Sequence, residues 1–213
     1  MITCTCPQKD PLPTIDAVTC AERFGQTQKL IFQRLLDNHG EENYITNTEA
    51  VTISAWGSLK ESGDSTQICV TPFVTNPTTD GGDVKTTGDG NEALNGIGSV
   101  VGSNPVNFSC RLENCPQDRV ASLKSLICEA LGGNLGVYLI NENGQIKGIK
   151  TTKAISNVST DVWMPIPIRA FFVSDEHLGG LDANDYNDLS FKFVPNYSDK
   201  TAIITLNASA LSL

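Results

Sequence analysis

The sequence predicts a mainly β protein with flanking helices: an antiparallel sandwich or open barrel carrying an extended N-terminal arm and a long Gly/Thr-rich loop. Three observations lead there. About eight short segments have strand character, and they are not interleaved with helices as a doubly wound parallel sheet requires. Two segments have helical periodicity, 19–36 and 116–131. Two further stretches, 1–18 and 76–104, hold few residues able to bury themselves.

The chain has 213 residues, long enough for one domain with appendages. The predicted organisation is an arm over 1–18 and a single β-rich domain over 19–213. Pro7, Pro11 and Pro13 block helix in the arm and deny donors to a central strand. Ile2, Leu12, Ile15 and Val18 give it apolar anchors for a neighbouring subunit. Thr19 and Glu22 form a capping box, and Phe24, Thr27, Ile31 and Leu35 recur at helical spacing, with Leu30 widening the stripe. Asn38-His39-Gly40 stops this helix.

Residues 51–56 alternate as a strand, Lys60 to Asp64 turn the chain, and 66–74 form another strand ended near Pro72. Residues 76–104 carry seven glycines among Thr and Asp. A loop of that length is functional or disordered. Leu94, Ile97, Val100 and Val101 suit an interface ordered by a partner. Val106, Phe108, Cys110 and Leu112 then alternate cleanly with polar residues. Pro116 is placed at the first helical position of 116–131, whose apolar face is Val120, Leu123, Ile127 and Leu131. Leu135–Ile140 and Gln145–Ile149 make a hairpin about Asn141–Gly144. The segment 154–164 is weaker, and 166–173 is strand-like. An acidic loop follows over 175–188, and a final hairpin pairs 189–194 with 201–206.

Composition excludes several classes of function. Fifteen Lys+Arg against 24 Asp+Glu give a net charge of −9, the wrong sign for a default nucleic-acid binder. No apolar run approaches the roughly 18 residues of a membrane span. The start lacks a basic, apolar leader, so assembly in the cytoplasm is expected. Seven Cys is an odd count, as expected of thiols. Cys69, Cys110 and Cys128 lie in apolar patterns and are expected to be buried. Cys4, Cys6 and Cys20 lack a fourth zinc ligand; His39 would complete the set by coincidence of fold.

Chemistry is sparse. Gly81-Gly82, Gly88 and Gly90 do not form a phosphate-cradling motif. Asp182, Asp185 and Asp188 form an acidic run without the alternating ligands and sharp Gly of a calcium loop, so a solvated acidic face is expected. His39 and His177 have no partner implied by spacing, and no Ser or Cys lies in a nucleophile elbow. The expectation is no enzyme, no catalytic residue, no cofactor and no metal. A small hydrolase using His177 is the remote alternative. A nearer rival is a monomeric carbohydrate- or cell-surface-binding sandwich displaying Trp56, Trp163, Tyr186 and Tyr197.

The strand Val106–Leu112, the helix Pro116–Leu131, the hairpin Leu135–Ile149 and the preceding Gly/Thr-rich loop together resemble bacteriophage tail-tube and head–tail connector proteins. More narrowly, they resemble virion proteins of phages infecting gut Bacteroides-type bacteria, including crAss-like phages. The resemblance is one of architecture and composition over about residues 50–210. It implies a virion structural subunit assembled in the host cytoplasm. Copies of the chain would form a ring, through the 1–18 arm and the 76–104 loop, and contact other virion proteins. DNA would pass through without specific binding, and no membrane would be engaged. The 19–36 helix is not part of the simple tube pattern.

Overall fold

The computed structural model describes residues 23–88 and 98–213. Its elements in chain order are β1 (Thr27–Arg34), β2 (Ile45–Thr46), α1 (Asn47–Ala50), α2 (Ile53–Lys60), β3 (Ile68–Val70), β4 (Thr75–Gly81) and β5 (Val84–Thr87). After them come β6 (Ser99–Ser103), β7 (Val106–Glu113), α3 (Gln117–Ser125), α4 (Ile127–Leu131), β8 (Leu135–Asn141) and β9 (Ile146–Ile155). The chain ends with β10 (Val158–Met164), β11 (Ile166–Val173), β12 (Tyr186–Phe193) and β13 (Thr201–Ile204). The fold is mixed, dominated by antiparallel β-sheet and flanked by short helices.

The β8 strand is the hub. Along one edge it pairs with β1 from Thr27↔Asn141 to Arg34↔Leu135. It also pairs with β9 through Leu139 and Ile140, and with β11 through Gly136 and Val137. Beyond β11 the order runs β12–β7–β4; on the other branch β9 carries β10 and β13, and β10 carries β2. Two apolar cores result. One fills the space between β1/β8 and β7/β12/β11, with Phe32, Phe108, Leu135 and Phe191, and is closed by Val120 and Leu123 of α3. The other lies on the reverse face of β1/β8, where Ile31, Tyr138 and Ile140 meet Trp56 of α2, Trp163 and Ala210. Trp56 stacks edge-on against Tyr138 at 5.0 Å and donates its indole N–H to the Ala50 carbonyl. A buried indole thus keeps its hydrogen bond.

This layering corrects the 19–36 helix. Residues 19–22 lie outside the described residues, as does the whole 1–18 arm. Thr27–Arg34 is a strand. Because β1 is covered on both faces, Leu30, Ile31 and Phe32 are all fully buried, leaving no apolar/polar alternation. The helical spacing of Phe24, Thr27, Ile31 and Leu35 was a coincidence of that unbroken run. Lys29 sits among these residues by donating its ammonium to the Leu211 carbonyl at 2.7 Å, and burial lowers its pKa.

The 51–56 strand is also overturned. Val51 and Thr52 link α1 to α2, and Ile53–Lys60 is helical. Alternation there came from only three apolar residues. A local signal was present at Thr46, whose N–H and hydroxyl both reach the Glu49 carboxylate and open α1. The 66–74 strand shrinks to β3, after which the Thr71 hydroxyl accepts the Leu30 N–H.

The helix over 116–131 is present but divided at Leu126, and Pro116 is its N-cap rather than its first helical residue. Cys128 is exposed and Cys69 half-buried, against expectation; Cys110 is buried. The β8–β9 hairpin stands as expected, and Ser156-Asn157, with φ of 52° and 65°, turns β9 into β10. The final hairpin does not form. β12 lies between β7 and β11, while β13 pairs with β9. Tyr197 stacks on Phe193 at 4.1 Å, and a 3-10 turn over Tyr197–Lys200 sends the chain to the other branch.

Candidate assembly surface

The expected loop over 76–104 is largely β structure where it is described. β4 pairs with β7 from Thr75↔Arg111 to Gly81↔Val106, and β5 pairs with β6 from Val84↔Ser103 to Thr87↔Ser99. These form one hairpin with a break in its middle. Residues 89–97, with Leu94 and Ile97, lie outside the described residues.

The break is built by Gly81-Gly82-Asp83 opposite Asn104-Pro105. Gly81 and Gly82 have φ of 96° and 85°, and a Cβ on Gly81 would stand 2.6 Å from the Pro105 carbonyl oxygen. Only glycine fits that close approach. Pro105 has no N–H to continue the ladder, while the Asn104 N–H donates to the Asp83 carbonyl at 2.9 Å.

Beyond the break, every residue of β5 and β6 is exposed. Val84 and Val100 lie on one face, because Val84 pairs with Ser103 and Thr86 with Val100; the register shift falls beside Val101. Their exposures are 60%, 71% and 61% for Val84, Val100 and Val101. A lone two-stranded ribbon is marginal in water without a face to pack on. The described elements supply none for this ribbon.

The residues suspected of chemistry do not form a reaction centre. His177 stacks on Tyr186 at 4.8 Å, and its Nε2 faces Asp188 at 3.7 Å rather than a hydroxyl or thiol. His39 lies in the turn organised by the Asp37 carboxylate, which accepts the His39 and Glu41 N–H groups and is thereby held below its usual pKa. The acidic stretch disperses. Asp175 pairs with Lys124, which lowers its pKa; Glu176 takes an amide hydrogen bond from Gln117. Asp185 accepts the Gly179 N–H, and Asp188 faces Arg111 at 3.4 Å. Among the described residues no three His, Cys, Asp or Glu side chains converge on a metal position. Cys4, Cys6 and Cys20 lie outside those residues. Burial, reinforced by Asp188, pushes the Cys110 thiol up to about 12, so it is no nucleophile near neutrality.

The aromatic platform is likewise dispersed. Trp56 and Trp163 are core residues. Tyr186 is covered by His177 on one side and the Arg111 guanidinium, 4.2 Å from its centroid, on the other. Tyr197 is engaged with Phe193. Sequence reasoning marked the Gly/Thr-rich stretch correctly as special but missed its β character. The signal was the glycine pair Gly81-Gly82 and the Asn104-Pro105 pair, which punctuate the two ends of the stretch.

The class defined here is a β-rich domain with a projecting, kinked hairpin. No protein-family model matches the chain, and no curated protein matches it. Among solved structures it is similar to a chain of the six-fold symmetrised cryo-EM structure of the anti-feeding prophage (AFP) baseplate. That likeness has 9% sequence identity, covers 89% of this chain and 100% of the other, and has a TM-score of 0.33. At that score it carries no argument about fold or function. No helix among the described residues is long and apolar enough to cross a membrane.

Proposed function

We propose that this chain is a structural subunit of a phage virion, forming a tail-tube or head–tail connector ring through its β5–β6 ribbon and its 1–18 arm. The observation that carries the reading is the ribbon itself: nine residues in two strands, with three exposed valines and no element beneath them among the described residues. Apolar side chains held out on a projecting hairpin serve a contact that a neighbouring copy completes. Sheet edges support the same reading. β4 ends one branch of the sheet, and Pro77 interrupts its capacity to pair indiscriminately. Cyclic packing of copies covers such edges without unlimited growth.

In this reading the protein works by geometry. The two cores hold the sheet rigid, the glycine break sets the ribbon's direction, and each copy orders the ribbon of the next. Sedimentation velocity across micromolar concentrations, with negative-stain electron microscopy of the largest species, tests it. The expected result is concentration-dependent association into closed rings. A single monomeric boundary at every concentration contradicts it.

A further inference from the structure

The base of the ribbon's apolar stripe is acidic: Asp80 and Asp83 flank the break and Val84 follows directly, while the one cation of the strands, Lys85, lies on the face opposite Val84 and Val100. A complementary surface exists elsewhere on the same chain. A cleft of about 310 Å³ opens between the end of β1, the loop after α4 and the β10–β11 junction. Leu36, Ile149, Met164, Pro165 and Pro167 line it with Gly133, and Leu36 is exposed at 40%. Arg169 stands at its rim, donating from Nη1 to the Gly133 carbonyl at 2.9 Å.

Beside Arg169 lies a second cation. Arg169 and Lys192 are directly opposite each other across β11 and β12, both exposed. Like charges in that register are unfavourable. Neither forms an ion pair with a carboxylate among the described residues: Arg169 reaches only the carbonyls of Gly133 and Ile168. Glu42, on the cleft wall, is committed to Lys153 at 2.8 Å. An apolar cleft with a basic rim therefore matches an apolar ribbon with an acidic base.

Their placement is directional. Asp80 pairs with Asn107, Asn107 with Lys192, and Lys192 with Arg169, one row running across β4, β7, β12 and β11. Ribbon base and cleft rim thus stand at opposite ends of that row, about 14 Å apart at three strand spacings. Because knob and socket are different patches of the surface, their contact between copies is head-to-tail, which closes into a ring where the rotation between copies closes.

We infer that the β5–β6 ribbon of one copy packs Val84 and Val100 into the Leu36–Met164–Pro167 cleft of a second copy, with Asp80 and Asp83 meeting Arg169 and Lys192. This rests on the assembly reading above and adds the receptor surface to it. It is tested in the full chain, with p-benzoylphenylalanine placed at Val100 and isotope-labelled and unlabelled copies mixed before irradiation. Mixed-isotope crosslinks to Leu36, Met164 or Pro167 are expected. In parallel, K192E weakens association by about tenfold at low salt, D83K does the same, and the two together restore it. Among the described residues the Lys192 ammonium forms no ion pair or hydrogen bond, and K192E replaces its repulsion from Arg169 by attraction, so the monomer's melting temperature is expected to hold or rise slightly while association weakens.

If wild-type copies associate while Val100 crosslinks elsewhere or within its own chain, the cleft assignment is overturned and the assembly reading stands. Association indifferent to K192E likewise overturns it. If wild-type copies do not associate, both fall together.

Discussion

β8 and the β5–β6 ribbon are both extended chain, yet they occupy opposite limits of burial. All seven residues of β8 are buried, with Val137 and Leu139 facing one core and Tyr138 and Ile140 the other. All nine residues of the ribbon are exposed. β8 draws its stability from two layers of side chains above and below it. The ribbon's valines gain no such layers from the described residues, and its ladder hydrogen bonds contribute modestly when water competes for the same groups. The hub is therefore complete within one subunit, whereas on the proposed reading a second copy completes the ribbon.

The largest effect expected from breaking that contrast is in the hub. Phe32 of β1 makes edge-on contacts with Phe171 at 5.1 Å and Phe191 at 6.1 Å. Phe32→Ala should cost about 3–5 kcal/mol of unfolding free energy in urea denaturation, through lost burial and the cavity left behind.

Alkaline pH sharpens the contrast next. The folded Cys110 thiol titrates near 12 against a reference of 9.0, because burial and then Asp188 disfavour the thiolate. Burial raises the Tyr138 phenol in the same direction. Above pH 9 the unfolded chain releases the thiol proton while the folded chain keeps it. Stability is thus fully present below pH 9 and falls above it, at up to about 1.4 kcal/mol per pH unit for Cys110. Denaturation midpoints across pH 8–11 measure this, and Cys110→Val should flatten the slope.

A smaller and local effect is expected at the break. Gly81→Ala places a Cβ against the Pro105 carbonyl at a positive φ, a conformation costing about 1–2 kcal/mol for an L-residue. The strain falls on the ribbon, so amide exchange in β5 and β6 should quicken while the global denaturation midpoint stays put. The smallest effect is at Val84→Thr with Val100→Thr, which should change monomer stability by less than about 0.5 kcal/mol. The same pair should abolish association in sedimentation velocity.

The contrast also explains what the sequence discloses. β7 was legible residue by residue, because Phe108, Cys110 and Leu112 face a core while Asn107 and Ser109 face water. Alternation is the signature of a strand buried on one face only. β1, buried on both, offers Leu30-Ile31-Phe32 unbroken, and its neighbours then mimic helical spacing. The ribbon, buried on neither, offers Thr, Gly and scattered Val, a composition that predicts loop. The proposed assembly surface is half legible: the glycine-rich stretch marks itself, but the proposed socket is gathered from the ends of β1 and α4, the interior of β9 and the β10–β11 junction, and no local pattern announces it. For Trp56 and Trp163 the sequence favours core or scattered surface over a display platform, and both are core residues; a tryptophan's chemistry suits either place, so no local pattern separates the two.

Amide hydrogen exchange over Val84–Thr87 and Ser99–Ser103, followed in dilute and in concentrated protein, tests the central claim most directly. The account predicts rapid exchange of the ribbon in the dilute chain, beside a strongly protected β8. It predicts ribbon protection rising at least about tenfold as copies associate. A ribbon as protected in the dilute monomer as in the concentrated sample, or one left unprotected within assembled rings, would contradict it.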